Sequence, residues 1–185
     1  FTTSNDAIIN KLNIGNGYYS SSSNTLLGYY AGTDYIDGST NHGTSFTYIG
    51  SLSGAYNFGS DNTAIGTNSL QGVFGGSNTT ASRNTSVGSG SGGGSGGGGI
   101  TTAKNNVFLG FNSGGRITSG SSNFFGGNNS GYSVTTGSNN IVIGDSAMYG
   151  TVGIAQIGSN NIILGSSAGY HAANISNSFY VNTIK

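Results

Sequence analysis

The segment Asn140-Ile141-Val142-Ile143-Gly144 decides the fold, because versions of it recur along most of the 185-residue chain. Successive copies lie 22, 16, 22, 22, 17, 17, 21 and 17 residues apart, and the last, degenerate copy is Ser178-Phe-Tyr-Val-Asn182. The chain is therefore an internal repeat with units of about 17 to 22 residues. The other eight copies end at Gly28, Gly50, Gly66, Gly88, Gly110, Gly127, Gly144 and Gly165.

We number the five positions of a copy as the first to fifth columns, from Asn to Gly. The second to fourth positions are rich in β-branched and aromatic residues and too short for a helix, so they predict one strand per copy. Glycine in the fifth column permits a tight corner, and Ala or Ser three residues later suits close stacking of coils. Stacked Asn residues of the first column can form a hydrogen-bonded ladder. One strand and two turns per unit predict an all-β fold, a β-solenoid.

Strand alternation places the second and fourth columns on one face and the third column on the other. We predict that the fourth column fills the coil interior, so that a charge at Ile143 would abolish folding. The predicted inner column is Leu27, Ile49, Ile65, Val87, Leu109, Ile143, Leu164 and Val181, interrupted by Gly126.

The third column, predicted to point outward, is also mostly apolar. A strand that is apolar on both faces is typically covered on both, and another copy of the chain is the simplest covering. A second strand or loop of the same chain is the alternative. The predicted oligomer interface is Leu26, Tyr48, Phe108, Phe125, Val142, Ile163 and Tyr180.

The repeat pattern divides the chain into a lead-in segment or partial repeat at residues 1–23, solenoid repeats at 24–182 and a C-terminal end at 183–185. A Gly/Ser-rich insert occupies residues 88–99, which contain Gly and Ser alone. We interpret it as a flexible excursion between rungs, with a tip loop as the alternative. Because no initiator Met precedes Phe1, we expect the chain to be processed or part of a longer one.

Composition excludes several classes of function. Gly, Ser, Asn and Thr make up 109 residues, and five acidic side chains balance five basic ones. A net charge of zero argues against nucleic-acid binding, which needs clustered Lys and Arg. The absence of Cys leaves neither a disulfide framework nor a thiolate zinc site. No apolar run approaches the roughly 20 residues that span a bilayer, so we expect no membrane insertion.

The sequence offers little for catalysis, and we predict no catalytic, cofactor-binding or metal-binding residues and hence no cofactor. No Gly-x-Ser-x-Gly elbow lies between a strand and a helix. Asp34 and Asp37 share a loop but lack the acidic spacing of calcium sites, so we interpret them as a solvated turn. His42 and His171 are interpreted as loop residues.

Tyrosines crowd the first third of the chain. Exposed aromatic rings beside amides and hydroxyls are suited to stacking on sugars, and Tyr29, Tyr30 and Tyr35 are the candidate glycan contacts. The alternative is that these rings pack in an oligomer interface.

The repeat resembles the Asn-Thr-Ala-Ile-Gly-type repeats of bacteriophage tail fibres and giant-virus surface fibres. The closest copies are Asn62-Thr-Ala-Ile-Gly-Thr-Asn-Ser-Leu70 and Asn140-Ile-Val-Ile-Gly-Asp-Ser-Ala-Met148. It is also similar, more distantly, to the head repeats of trimeric autotransporter adhesins. The resemblance covers about residues 24–182 and implies an extracellular homotrimer on a virion surface or cell-surface appendage, with a cell-surface glycan or protein as its receptor.

Three hypotheses of function follow. The first is a non-enzymatic structural fibre, a trimeric viral or phage shaft or head that attaches to a host cell, with a bacterial adhesin head as its near relative. The second is a self-assembling extracellular filament or matrix protein whose open solenoid ends pair between molecules. The third is an ice- or polysaccharide-binding surface built on Thr25, Thr47, Thr63 and Thr85, which the predicted alternation places inside the coil.

Overall fold

A computed structural model describes residues 7–9, 12–15, 23–33, 43–74, 79–93, 99–150, 158–169 and 175–182. Within these residues the structure is all-β, with eleven strands in a single sheet whose spatial order follows the chain. The strands are β1 (Ala7–Ile9), β2 (Leu12–Gly15), β3 (Thr25–Leu27), β4 (Thr47–Ile49), β5 (Thr63–Ile65), β6 (Thr85–Val87), β7 (Val107–Leu109), β8 (Phe124–Gly126), β9 (Ile141–Ile143), β10 (Ile162–Leu164) and β11 (Phe179–Val181).

The strands β3 to β11 pair in parallel and in register, one strand per repeat. Each column of the repeat therefore stacks on itself from coil to coil, which confirms the β-solenoid. The first two strands differ, since β1 and β2 form an antiparallel hairpin and β2 pairs antiparallel with β3. The strand β2, which also ends in a glycine, Gly15, therefore runs in the opposite direction to the strands of the repeats.

The first column forms the predicted ladder inside the coil. In Asn123 the side-chain amide donates to Asn106 Oδ1 and to the Gly137 carbonyl, at 3.0 and 2.9 Å. Its oxygen accepts from the backbone N–H and the side-chain amide of Asn140, both at 3.0 Å. The same bonding links six consecutive, fully buried residues, Asn62, Asn84, Asn106, Asn123, Asn140 and Asn161.

The third column, and not the fourth, fills the interior. The aromatic rings of Tyr48, Phe108 and Phe125 are fully buried, as are Val142 and Ile163. Because the first column points inward, alternation directs the third column inward too and the second and fourth outward. The prediction that the second and fourth columns share one face was correct, but the assignment of that face to the coil interior was wrong.

Two predicted residue sets are corrected by this reversal. The predicted inner column lies on the outer face, half-buried or exposed, apart from its interruption at Gly126: Leu27, Ile49, Ile65, Val87, Leu109, Ile143, Leu164 and Val181. The predicted interface residues Leu26, Tyr48, Phe108, Phe125, Val142 and Ile163 lie in the core, and only Tyr180, at the last rung, is exposed. The Thr residues of the second column also face outward, not inward.

The start of the Gly/Ser-rich stretch is part of the coil. Ser91 is buried, and its hydroxyl donates to the Gly88 carbonyl at 2.8 Å. The N–H groups of Gly92 and Gly93 donate to Ser113 and Gly114 on the next coil. The stretch is therefore anchored through residue 93, and residues 94–98 lie outside the described chain.

Candidate functional site

The outward face of the parallel sheet is the most distinctive surface of the molecule. It consists of the second and fourth columns of β3 to β11, and we call it the apolar sheet face. Nine strands at a spacing of about 4.8 Å make it roughly 38 Å long. No charged residue lies in either column. Its members are Thr25, Leu27, Thr47, Ile49, Thr63, Ile65, Thr85, Val87, Val107, Leu109, Phe124, Gly126, Ile141, Ile143, Ile162, Leu164, Phe179 and Val181.

The exposed apolar area of this face is large. Nine of its large apolar residues are between 37% and 68% exposed. At about 200 Å² for a fully exposed large side chain, they leave roughly 800 Å² open. The largest apolar patch on a typical monomer is about 300–600 Å², and a standard protein interface takes about 800 Å² from each partner. The face is therefore large enough for a stable interface.

The face is also level along its length. Gly126 is the one member without a side chain, and a Cβ there would lie 3.3 Å from the ring of Phe124 on the same strand. The Phe124 ring thus occupies the space that a fourth-column side chain would fill. A level surface suits packing against another level surface, because gaps at an interface forfeit dispersion contacts.

The two halves of the face differ in chemistry. In β3 to β6 the second column is Thr25, Thr47, Thr63 and Thr85, so hydroxyls alternate with aliphatic side chains. From β7 onward it is Val107, Phe124, Ile141, Ile162 and Phe179. The C-terminal half is therefore continuously apolar, whereas the N-terminal half keeps groups that bind water.

The candidate glycan contacts are only partly described. Tyr29 and Tyr30 follow the first corner glycine, are 51% and 38% exposed, and have ring centroids 4.0 Å apart. Hydrogen bonding and charge at the neighbouring Tyr29 raise the pKa of Tyr30. Tyr35 lies outside the described residues, so the structure brings two of the three predicted rings together.

The described ranges contain no group of three or more His, Cys, Asp or Glu side chains that would hold a metal ion. Asp145 accepts a hydrogen bond from the Asn128 amide at 2.7 Å on the surface. Asp34, Asp37, His42 and His171 fall outside those ranges. No helix able to cross a membrane occurs in the described part of the chain.

One regular feature escaped the sequence prediction. A serine two residues before the first column uses its hydroxyl oxygen to accept a backbone N–H of the preceding coil. Ser138 accepts from Ser121 N–H at 2.9 Å, and Ser159 accepts from Ser138 N–H at 3.0 Å. The signal is a Ser-x-Asn triplet, which recurs at Ser60, Ser82, Ser121, Ser138 and Ser159. The polar side chains therefore bind coil to coil and leave the apolar sheet face without an intramolecular partner among the described residues.

Neither a scan against protein-family models nor searches of curated proteins and of solved structures found a match.

Proposed function

We propose that the chain is a protomer of a homotrimeric extracellular fibre of a virus or phage, and that this fibre serves in attachment to a host cell surface. The observation that carries the proposal is the apolar sheet face, which is uncharged and has roughly 800 Å² of exposed apolar area. Second and third copies of the same chain are the occupants we assign to it.

A three-fold arrangement fits the shape of the face. Around a three-fold axis, each flat face meets two neighbours, so the second column of one protomer packs against the fourth column of the next. Both columns are then covered in every protomer, and closed cyclic symmetry leaves none of these faces free. Parallel coils aligned with the axis produce a rod, which agrees with the fibre repeats that the sequence resembles.

The native mass tests the assembly directly. Sedimentation or native mass spectrometry at micromolar concentration should give three times the 18.5 kDa mass of one chain. A monomer would refute lateral association, and a stable dimer would refute the three-fold arrangement.

A charge on the face should separate the protomers without unfolding them. Ile143→Asp places a carboxylate in the centre of the proposed interface, where its desolvation opposes association. Its side chain is 43% exposed in the single chain, so the coil should keep its β-structure by circular dichroism. The matched control is Ser122→Asp, because Ser122 is exposed and Asp61 occupies the same repeat position. Equal masses for the two variants would contradict the assigned interface.

The attachment role has a separate test. If Tyr29 and Tyr30 stack on a sugar, the double variant Tyr29→Ser/Tyr30→Ser should lower binding on a glycan array by about ten-fold or more, the equivalent of about 1.4 kcal/mol. Phe111→Ser is the control, because Phe111 follows Gly110 as Tyr29 follows Gly28 and is 54% exposed. Wild-type protein that binds no glycan would contradict sugar-mediated attachment and leave the fibre assembly standing.

A further inference from the structure

Coils stack so closely that two positions in each repeat face the next coil with room for a small residue at most. A Cβ added to Gly144 would lie closer than 3 Å to backbone atoms of Gly165, the corner of the following coil. Every earlier corner glycine meets the next corner in the same way. The second such position lies three residues before the first column, where a Cβ on Gly137 would collide with the Gly158 carbonyl.

A third position must offer a hydrogen bond to the next coil. The first-column amide oxygen accepts the backbone N–H of the following coil, as Asn140 Oδ1 does from Asn161 at 3.1 Å. Three features are therefore shared by the coils that accept another on their C-terminal side. They are a small residue three before the first column, a Gly in the fifth column and an Asn in the first, for which the coil of β4 alone has Phe46.

The coil of β11 lacks all three. The small-residue position, which is Gly or Ala in the seven preceding coils, is Ile175, and its side chain packs against the end of the core. The first column is Ser178, whose hydroxyl donates to the Ser176 carbonyl of its own coil. The fifth column is Asn182, which lacks the positive φ of all eight corner glycines. The Asn182 side-chain amide donates to the Ser166 carbonyl of the preceding coil.

The geometry points to Ile175, Ser178 and Asn182 as the residues that end the solenoid, so that no further coil stacks on β11. This applies equally to any segment that continues the chain and to any second molecule. Tyr180 continues the interior column in register with Ile163. At the other end, β2 lies antiparallel against β3. Association of copies by coil-on-coil stacking is therefore blocked at β11.

An added coil tests the inference. A copy of residues 128–144, which form one complete 17-residue unit, is inserted after Asn182 in the native chain and in the variant Ile175→Gly/Ser178→Asn/Asn182→Gly. This unit places Ser130 three residues after Asn182 and Gly131 six residues after Tyr180. These are the spacings at which the two residues follow Gly127 and Phe125 in the native chain. Hydrogen exchange with mass spectrometry then reports whether the inserted amides are protected.

We expect the inserted amides to exchange like an unfolded chain in the native background and at least ~100-fold more slowly in the triple variant. The same copy inserted after Gly165, whose coil has Gly158 and Asn161, should be protected without any substitution. Peptides that span the insertion junctions distinguish the copy from native residues 128–144, and peptides from β7 and β8 report whether the rest of the solenoid stays folded. Protection after Asn182 in the native background would overturn the inference, and so would a triple variant that gains none while β7 and β8 remain protected.

Discussion

At the scale of single residues, the first-column asparagines decide which way each strand faces. A buried amide is costly unless its donors and acceptors are all bonded, and Asn123 meets this condition with four hydrogen bonds to its two neighbouring coils. Once this column is inside, the third column must be inside as well. The sequence contained this information, but the strand alternation was not extended back to the Asn residue that precedes each strand.

Asn123→Ala should lower the free energy of unfolding by about 3 kcal/mol or more. The substitution leaves buried groups of Asn140 and Gly137 without partners, and each lost bond costs about 1 kcal/mol. Denaturant unfolding gives the value. Asn139→Ser is the control, because that side chain is exposed, makes one amide contact to Asn160 and has a positive φ that Ser122 also adopts at the same repeat position, so we expect a change below about 0.5 kcal/mol. Equal losses would mean that the ladder adds little stability.

Tyr48 carries a buried hydroxyl without a hydrogen-bond partner. Asn62 is the nearby amide, but its nitrogen already donates to the Gly59 and Ala81 carbonyls. Tyr48→Phe removes the unsatisfied hydroxyl and keeps the ring, which stacks on Phe46 with the two ring centroids 4.5 Å apart. We expect the free energy of unfolding to rise by about 1 kcal/mol. A fall of that size in a thermal or denaturant experiment would mean that the hydroxyl is bonded.

The same residue makes stability depend on alkaline pH. Burial raises the pKa of the Tyr48 phenol well above its ordinary value, and Asn62 offsets only part of this effect. Above about pH 10 the unfolded chain releases this proton while the folded chain retains it. The contribution of Tyr48 to stability is therefore constant below pH 10 and falls as the pH rises further. Unfolding measured from pH 8 to 11 should show a shallower decline for Tyr48→Phe than for Tyr132→Phe, whose ring is half-buried.

At the scale of one coil, the interior is filled by a compensating pair of residues six positions apart. Large third-column side chains face a glycine, as in Tyr48 with Gly54 and Phe125 with Gly131, where an added Cβ would collide with the ring. Smaller ones face a large residue, as in Val142 with Met148. The coil of β6 is the exception, because both Ser86 and Gly92 are small and the side chains of Leu70 and Phe108 from the adjacent coils lie nearest that glycine.

Exchanging the two members of one pair tests this compensation. Val142→Phe alone overpacks its coil and should cost about 1–3 kcal/mol, and Met148→Gly alone leaves a cavity that should cost about 2 kcal/mol or more. The double variant reproduces the Phe125–Gly131 arrangement and should recover most of both losses. A double-mutant cycle measures the coupling.

The control combines Val142→Phe with Leu70→Gly, since Leu70 has the equivalent position in a distant coil. Those two losses should add. If the losses also add for Val142→Phe with Met148→Gly, then Val142 and Met148 do not share one space in the coil.

The strands themselves were predictable to within a residue, because each copy contains one short β-branched or aromatic run between Asn and Gly. The face they present was not, since both faces of the run are apolar and hydrophobicity alone does not distinguish them. Phe108→Ser would loosen an oligomer if Phe108 lay in the interface, as its column predicted, but it should destabilise the coil because the Phe108 ring is fully buried. Loss of β-structure by circular dichroism checks this, and an intact but dissociated protein would restore the first assignment.

At the scale of the whole molecule, coil stacking and the proposed lateral packing use separate surfaces. Amides, hydroxyls and glycines join the coils along the axis as far as β11, where we infer that stacking stops. The apolar sheet face lies at right angles to that direction and carries the aliphatic residues that stacking does not use. Sequence reasoning predicted an apolar contact surface, but its location needed the stacking geometry that makes the asparagines internal.

The change in chemistry along the face predicts that the proposed trimer is held mainly at its C-terminal half. Ile162→Lys introduces a charge between Ile141 and Phe179 of the same column, both of which are apolar. We expect it to raise the dissociation constant by about 100-fold or more, which corresponds to about 2.7 kcal/mol. Thr63→Lys makes the matched change in the same column between Thr47 and Thr85, where hydroxyls already retain water, and should raise the constant by less than about ten-fold. Sedimentation over a dilution series measures both constants. Equal effects would mean that the whole length of the face contributes evenly, and a larger effect of Thr63→Lys would move the main contact to the N-terminal coils.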